Sequence, residues 1–221
     1  MSSQPQPPRT VLLFGGTFDP PHRAHITLPL AAARAIGADE VLFIPANINP
    51  QKSTTPPTSV EHRVAMLQLA LEGIPTARVS RIEVDHPGPS YSVDTLRRLV
   101  REPAYQGATL RLLIGADQAL NFTTWKEWQA VEEIAEPVVM PRPPHTRCAL
   151  EAEYNRLHPG QSNQWMTRTL ELPMLEDCST DIRTMIDRGD PLDSVLFPKV
   201  ERYVHEHQLY GWNDPPARIN S

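Results

Sequence analysis

The strongest constraint on this chain is its alternation of short apolar runs with amphipathic stretches, most of the runs closed by glycine or proline. Val11–Phe14 runs into Gly15 and Gly16, Val41–Ile44 into Pro45, and Leu110–Ile114 into Gly115, while Ala77–Val84 and Pro137–Met140 complete five predicted strands. Between them lie helical patterns. Ala24–Ile36 is alanine-rich and ends at Gly37, and Ser59 is the predicted N-cap of a helix carrying Val64, Met66, Leu67, Leu69, Ala70 and Leu71. A third helix begins at Ser92 or Asp94 and runs through Val100, and others are predicted at Glu151–His158, Thr180–Asp187 and Lys199–His207. Strand and helix in this rhythm argue for parallel strands joined by crossover helices.

The expected fold class is therefore α/β, a Rossmann-like doubly wound parallel sheet with a small helical C-terminal part over residues 178–210. One domain is predicted over 10–210, with tails at 1–9 and 211–221, a size that suits a single full core. Ligands of such sheets gather beyond the carboxyl ends of the strands. Gly15–His25, Asn47–Lys52, Gly115–Asp117 and the segment around Arg142 would share that rim.

Charge and cysteine usage narrow the partners. The net charge is −5 and no basic run occurs, so the electrostatic grip on nucleic-acid backbones is missing and no nucleic-acid partner is expected. Cys148 and Cys178 lack metal-type spacing, which fits a reducing interior better than a disulfide framework. Met1–Pro8 is polar and proline-rich, and no run of about 18 apolar residues follows, so a cytoplasmic protein without membrane contact is expected. Assembly into a homo-oligomer stays open.

The informative segment is Gly15-Gly16-Thr17-Phe18-Asp19-Pro20-Pro21-His22-Arg23-Ala24-His25, between the first strand and the first helix. Glycines let backbone N–H groups approach a phosphate closely, and the helix start adds free donors and a partial positive charge. His22 and His25 stand three residues apart and can project on one side, where imidazoles could stabilise a triphosphate. Asp19 before Pro20 reads as a turn-former or as an outer-shell metal contact.

This segment resembles the signature of the nucleotidyltransferases related to class I aminoacyl-tRNA synthetases, most of all the bacterial nicotinate-nucleotide adenylyltransferases, with Ala24 at the usual glycine. Asp177-Cys178-Ser179-Thr180-Asp181-Ile182-Arg183 resembles the family's second motif, departing at Asp177 and Cys178. Physically, Ser179 or Thr180 could cap the helix that follows, and Arg183 offers a bidentate fork for phosphate oxygens. Asn49-Pro50-Gln51-Lys52, Ser90–Leu96, Gly115-Ala116-Asp117 with Trp125 downstream, and Pro141-Arg142-Pro143-Pro144 resemble further family segments.

The resemblance implies AMP transfer from ATP to nicotinate mononucleotide. His22, His25, Lys52 and Arg183 would be catalytic, and Gly15, Gly16, Thr17, Phe18, Gly115, Asp117, Ser179 and Thr180 would join them in binding ATP. Tyr91, Ser92, Trp125 and Arg142 would bind the mononucleotide, with Trp125 stacking on the pyridine ring. The alternative for Trp125 is a core position, and Trp128 could take either part. Mg²⁺ is the expected cofactor, held mainly through substrate phosphates, with no protein metal ligand assigned. The rival acceptors are nicotinamide mononucleotide and pantetheine phosphate, and a different class of reading is a non-catalytic nucleotide-binding module.

Overall fold

The computed structural model describes residues 8–48, 57–142, 144–157, 160–175 and 177–212. The predicted Asn49–Lys52 loop lies outside these residues, as does most of both predicted tails. Five strands form one parallel sheet: β1 (Thr10–Gly16), β2 (Glu40–Pro45), β3 (Ala77–Val79), β4 (Thr109–Gly115) and β5 (Glu136–Met140). Their order is β3-β2-β1-β4-β5. The chain steps outward from β1 to β3 and then returns to the other side of β1. The gap between the carboxyl ends of β1 and β4 is therefore the topological switch point, where α/β sheets bind ligands.

The strands alternate between two cores. On β1, Leu12 and Phe14 face one core, together with α1 (Arg23–Ile36), α2 (Val60–Leu71), α8 (Ser179–Arg188) and α9 (Pro198–Glu206). Val11 and Leu13 face the other core. That second layer contains α3 (Ser92–Leu99), α4 (Ala116–Leu120), α5 (Trp128–Ile134), α6 (Arg147–Leu157) and α7 (Ser162–Arg168). Both faces of the sheet are thus covered, which is why its strands read as continuous apolar runs. Gly37, in the left-handed region at φ 68°, ends α1, and Gly189 at φ 71° ends α8 in the same way.

Several predicted boundaries shift. The third strand stops at Val79 rather than Val84: Ser80 still donates to the Phe43 carbonyl, but the backbone then turns, with Asp85 N–H donating to Arg81 O. Arg81 pairs there with Glu61 and Asp85. Helix α6 begins at Arg147, and α4, α5 and α7 are short helices the sequence pattern leaves unmarked. The segment spanning α6 and α7 lies on the sheet face, where Tyr154 and Trp165 stack at 5.7 Å.

Candidate active site

The turn from β1 into α1 is built tightly around one ring. A Cβ on Gly16 would lie 2.9 Å from the Phe18 ring, so only glycine fits without displacing it. Phe18 takes a left-handed φ of 52° and is 1% exposed, edge-on to Phe14 at 5.7 Å and to His25 at 5.1 Å. Core packing holds a conformation that a non-glycine residue rarely adopts. Ala24 is also buried in that core.

His22 is the N-cap of α1, with extended backbone. Its ring stacks on that of His25, centroids 3.7 Å apart and planes at 28°. The His22 backbone N–H donates to Nδ1 of His25 at 3.4 Å, which leaves the proton of a neutral His25 on Nε2. Burial, aided by the Arg142 charge, lowers the His22 pKa to about 4, so its ring is neutral at ordinary pH. His22 Nδ1 and Thr17 Oγ1 are buried without a hydrogen-bond partner in the protein. Buried polar atoms without partners are costly, and at such a corner they mark where a ligand can bond.

The C-terminal third closes on this turn. Ser179 Oγ donates to the Pro20 carbonyl at 3.1 Å, and Arg183 Nη1 to the Asp19 carbonyl at 2.7 Å. Arg183 Nη2 donates to Thr180 Oγ1 at 3.2 Å. Neither Ser179 nor Thr180 caps α8: the cap position belongs to Cys178, and both hydroxyls are engaged elsewhere. Asp19 is buried, and its carboxylate accepts from Tyr210 Oη at 2.7 Å and from the Thr58 N–H at 3.2 Å. Both of its oxygens thus fasten the turn.

Across the switch point, Gly115 ends β4 under an ion pair. Arg142 Nη2 and Nε donate to Asp117 Oδ1 at 2.7 and 3.1 Å. A Cβ on Gly115 would lie 2.7 Å from that same oxygen. Tyr91 is the N-cap of α3 and Ser92 its first residue. The Lys126 ammonium sits 4.8 Å from the centre of the Tyr91 ring and donates to Asp94 at 2.9 Å, which places Trp125's chain neighbour beside the start of α3. Trp125 is half-buried and packs on Phe122 at 5.2 Å, with its Nε1 buried and unpartnered; Trp128 packs on the same Phe122 at 6.2 Å. Thr95 donates to Glu83 at 2.6 Å, and burial raises the Glu83 pKa. Ser90 Oγ accepts the Asn47 N–H at 3.1 Å, joining the segment before α3 to the one after β2.

Two residues of this region carry no motif. Tyr210 reaches Asp19 from far along the chain, with no local signal. Arg63 is buried on α2, and a charged residue on the apolar face shared by Met66, Leu67 and Ala70 was the available sign. Among the described residues no group of three or more His, Cys, Asp or Glu side chains could hold a metal ion.

Residues 13–185 match the family model described as cytidylyltransferase-like. The chain is 35% identical over 201 residues to a nicotinate-nucleotide adenylyltransferase of Symbiobacterium thermophilum, covering 90% of this chain and 94% of that one. It is 35% identical over 211 residues to the similarly named protein of Hydrogenovibrio crunogenus, with 91% and 98% covered. Among solved structures, the nicotinic acid mononucleotide adenylyltransferase of Plasmodium falciparum complexed with APC superposes with a TM-score of 0.71 at 14% identity. Its complex with NaAD gives 0.71 at 15%, and each superposition covers 93% of this chain and 98% of that one. At such identity these structures speak to the fold.

Proposed function

This chain belongs to the cytidylyltransferase-like family and, within it, to the nicotinate-nucleotide adenylyltransferases, and from that premise we propose how its residues divide the work. The reaction transfers AMP from ATP to nicotinate mononucleotide, giving nicotinate adenine dinucleotide and pyrophosphate in NAD biosynthesis. The 5′-phosphate of the mononucleotide attacks the α-phosphorus of ATP. A phosphorus–oxygen bond forms to it as the bond to the β-phosphate oxygen breaks, and pyrophosphate carries away the electron pair. A phosphate dianion needs no general base, so alignment and charge stabilisation are the protein's task.

Gly15, Gly16, Thr17 and Phe18 present their backbone to the triphosphate where α1 begins. The neutral His22 ring and the Nε2–H of His25 contact the reacting phosphate, and Arg183 offsets charge on the departing pyrophosphate from the start of α8. Ser179 and Thr180 keep α8 and Arg183 on the turn. Lys52 lies outside the described residues, and its place among the phosphate-binding groups rests on its motif. Gly115 and Asp117 border the ATP ribose side; Tyr91, Ser92, Trp125 and Arg142 take the mononucleotide, its carboxylate at the amides that open α3. The observation that carries this division is the pair of buried, unpartnered polar atoms, His22 Nδ1 and Thr17 Oγ1, at the switch point.

The family acts on ATP with a divalent metal ion, which we assign as Mg²⁺. Both oxygens of Asp19 are engaged within the protein, and among the described residues no group of three or more His, Cys, Asp or Glu side chains could hold the ion, so it would be held mainly through the substrate phosphates, where it would supply charge neutralisation. We further assign the enzyme to the cytoplasm, and ATP and nicotinate mononucleotide as its partners. Pyrophosphate release with ATP, Mg²⁺ and each of nicotinate mononucleotide, nicotinamide mononucleotide and pantetheine phosphate tests the reading. The acid mononucleotide should give the highest kcat/KM; preferential turnover of either rival refutes it.

A further inference from the structure

We infer that Arg63 is a positioning residue for nucleotidyl transfer, a buried cation that sets the orientation of the phosphate-binding turn from beneath. The inference rests on the reaction assigned above. Arg63 is 1% exposed and heads the fully buried side chains by volume. Its Nη1 donates to the carbonyls of Thr17 at 2.7 Å and Ala46 at 2.9 Å, its Nε to Thr58 at 3.0 Å, and its Nη2 to Asn47 at 3.4 Å. One planar fork thus joins three segments: the turn after β1, the stretch after β2 and the entry to α2.

An apolar side chain would fill this place on α2 without desolvating a charge, so packing alone gives no reason for a guanidinium here. Its rigid geometry instead fixes the mutual spacing of the carbonyls. Because a trans peptide is planar, holding the Thr17 carbonyl toward Arg63 turns the N–H of Phe18 away from it. The charge is balanced at one remove. Thr58 gives its carbonyl to Arg63 and its N–H to Asp19; burial lowers the Arg63 pKa, and the Asp19 carboxylate offsets part of that.

Steady-state kinetics and urea unfolding of Arg63→Met and Arg63→Lys, beside the wild type, test this role. Arg63→Met should unfold cooperatively and lose kcat by about 100-fold, the effect of misplacing reacting groups by about 1 Å, while its KM for nicotinate mononucleotide stays within about threefold. Arg63→Lys should recover about tenfold of that loss, since an ammonium restores part of the bonding. An Arg63→Met enzyme with kcat within about twofold of wild type overturns the role, as does a kcat loss that Lys leaves unrepaired. So does failure of both variants to unfold cooperatively, which would make Arg63 a residue of the fold. A wild type that releases no pyrophosphate overturns the assigned reaction and this role together, whereas an active wild type matched by Arg63→Met overturns this role alone.

Discussion

The rings of His22 and His25 stack face to face at 3.7 Å, and the backbone N–H of the first donates to Nδ1 of the second. The pair is thereby pre-set at the start of α1, and in the proposed role it would meet charge developing on the α-phosphate without reorganising.

Replacing His25 by Ala should lower kcat by at least about tenfold, corresponding to roughly 1.4 kcal/mol or more of lost transition-state stabilisation. Helix content by circular dichroism should be unchanged. A variant that turns over at the wild-type rate would remove His25 from the mechanism.

Burial, then Arg142, lowers the His22 pKa from 6.5 to about 4, and this couples folding to pH. Above pH 6.5 neither state binds the proton. Between pH 6.5 and 4 the unfolded chain binds it while the folded chain does not, so acidification destabilises the fold, by roughly 3 kcal/mol in full at pH 4. Urea titrations at pH 7.5 and 5 should show wild type losing about 2 kcal/mol more than His22→Asn over that interval. Parallel losses in the two proteins would disprove the coupling.

Trp125 presents a half-buried indole whose Nε1 lacks a partner. Stacking on a flat ring is worth about 1–3 kcal/mol, so Trp125→Ala should raise the KM for nicotinate mononucleotide about tenfold. The KM for ATP should move less than about twofold. An effect confined to ATP contradicts the stacking role.

Gly115 sits at φ −73° and ψ 160°, a conformation open to alanine. In Gly115→Ala the new methyl would meet Asp117 Oδ1 at 2.7 Å and Arg142 Nε at 3.3 Å, so the ion pair must open. The pair is half exposed and opening it should cost under about 1 kcal/mol of stability, yet the KM for the mononucleotide should rise about tenfold. Unaltered mononucleotide kinetics would show that Arg142, as the pair holds it, does not bind the mononucleotide.

What the sequence disclosed followed the range of the interactions involved. The β1–α1 corner was legible because its constraints are local: an apolar run, two glycines, and histidines one helical turn apart. The sheet was legible because its central strands β1 and β2, covered on both faces, are mostly apolar runs. Arg63 was not, since its meaning lies in four carbonyls, one of them 46 residues away. Ser179 and Thr180 were misjudged as caps because hydroxyls near a helix start usually do cap it, and here tertiary partners outcompete the local bond. The third strand was drawn too long because β-branched residues continue past Val79, where pairing with β2 has ended.

The bond from Tyr210 to Asp19 spans 191 residues of sequence. Synthesis runs from the amino end, so the turn emerges long before the residue that latches it. Until α8 and the residues after α9 have docked, the turn lacks the bonds from Ser179, Arg183 and Tyr210 to Pro20 and Asp19, and Asp19 keeps only the Thr58 N–H of these partners. The full set of bonds on this turn thus waits on completion of the tertiary structure, and a half-made chain would carry the motif without its frame.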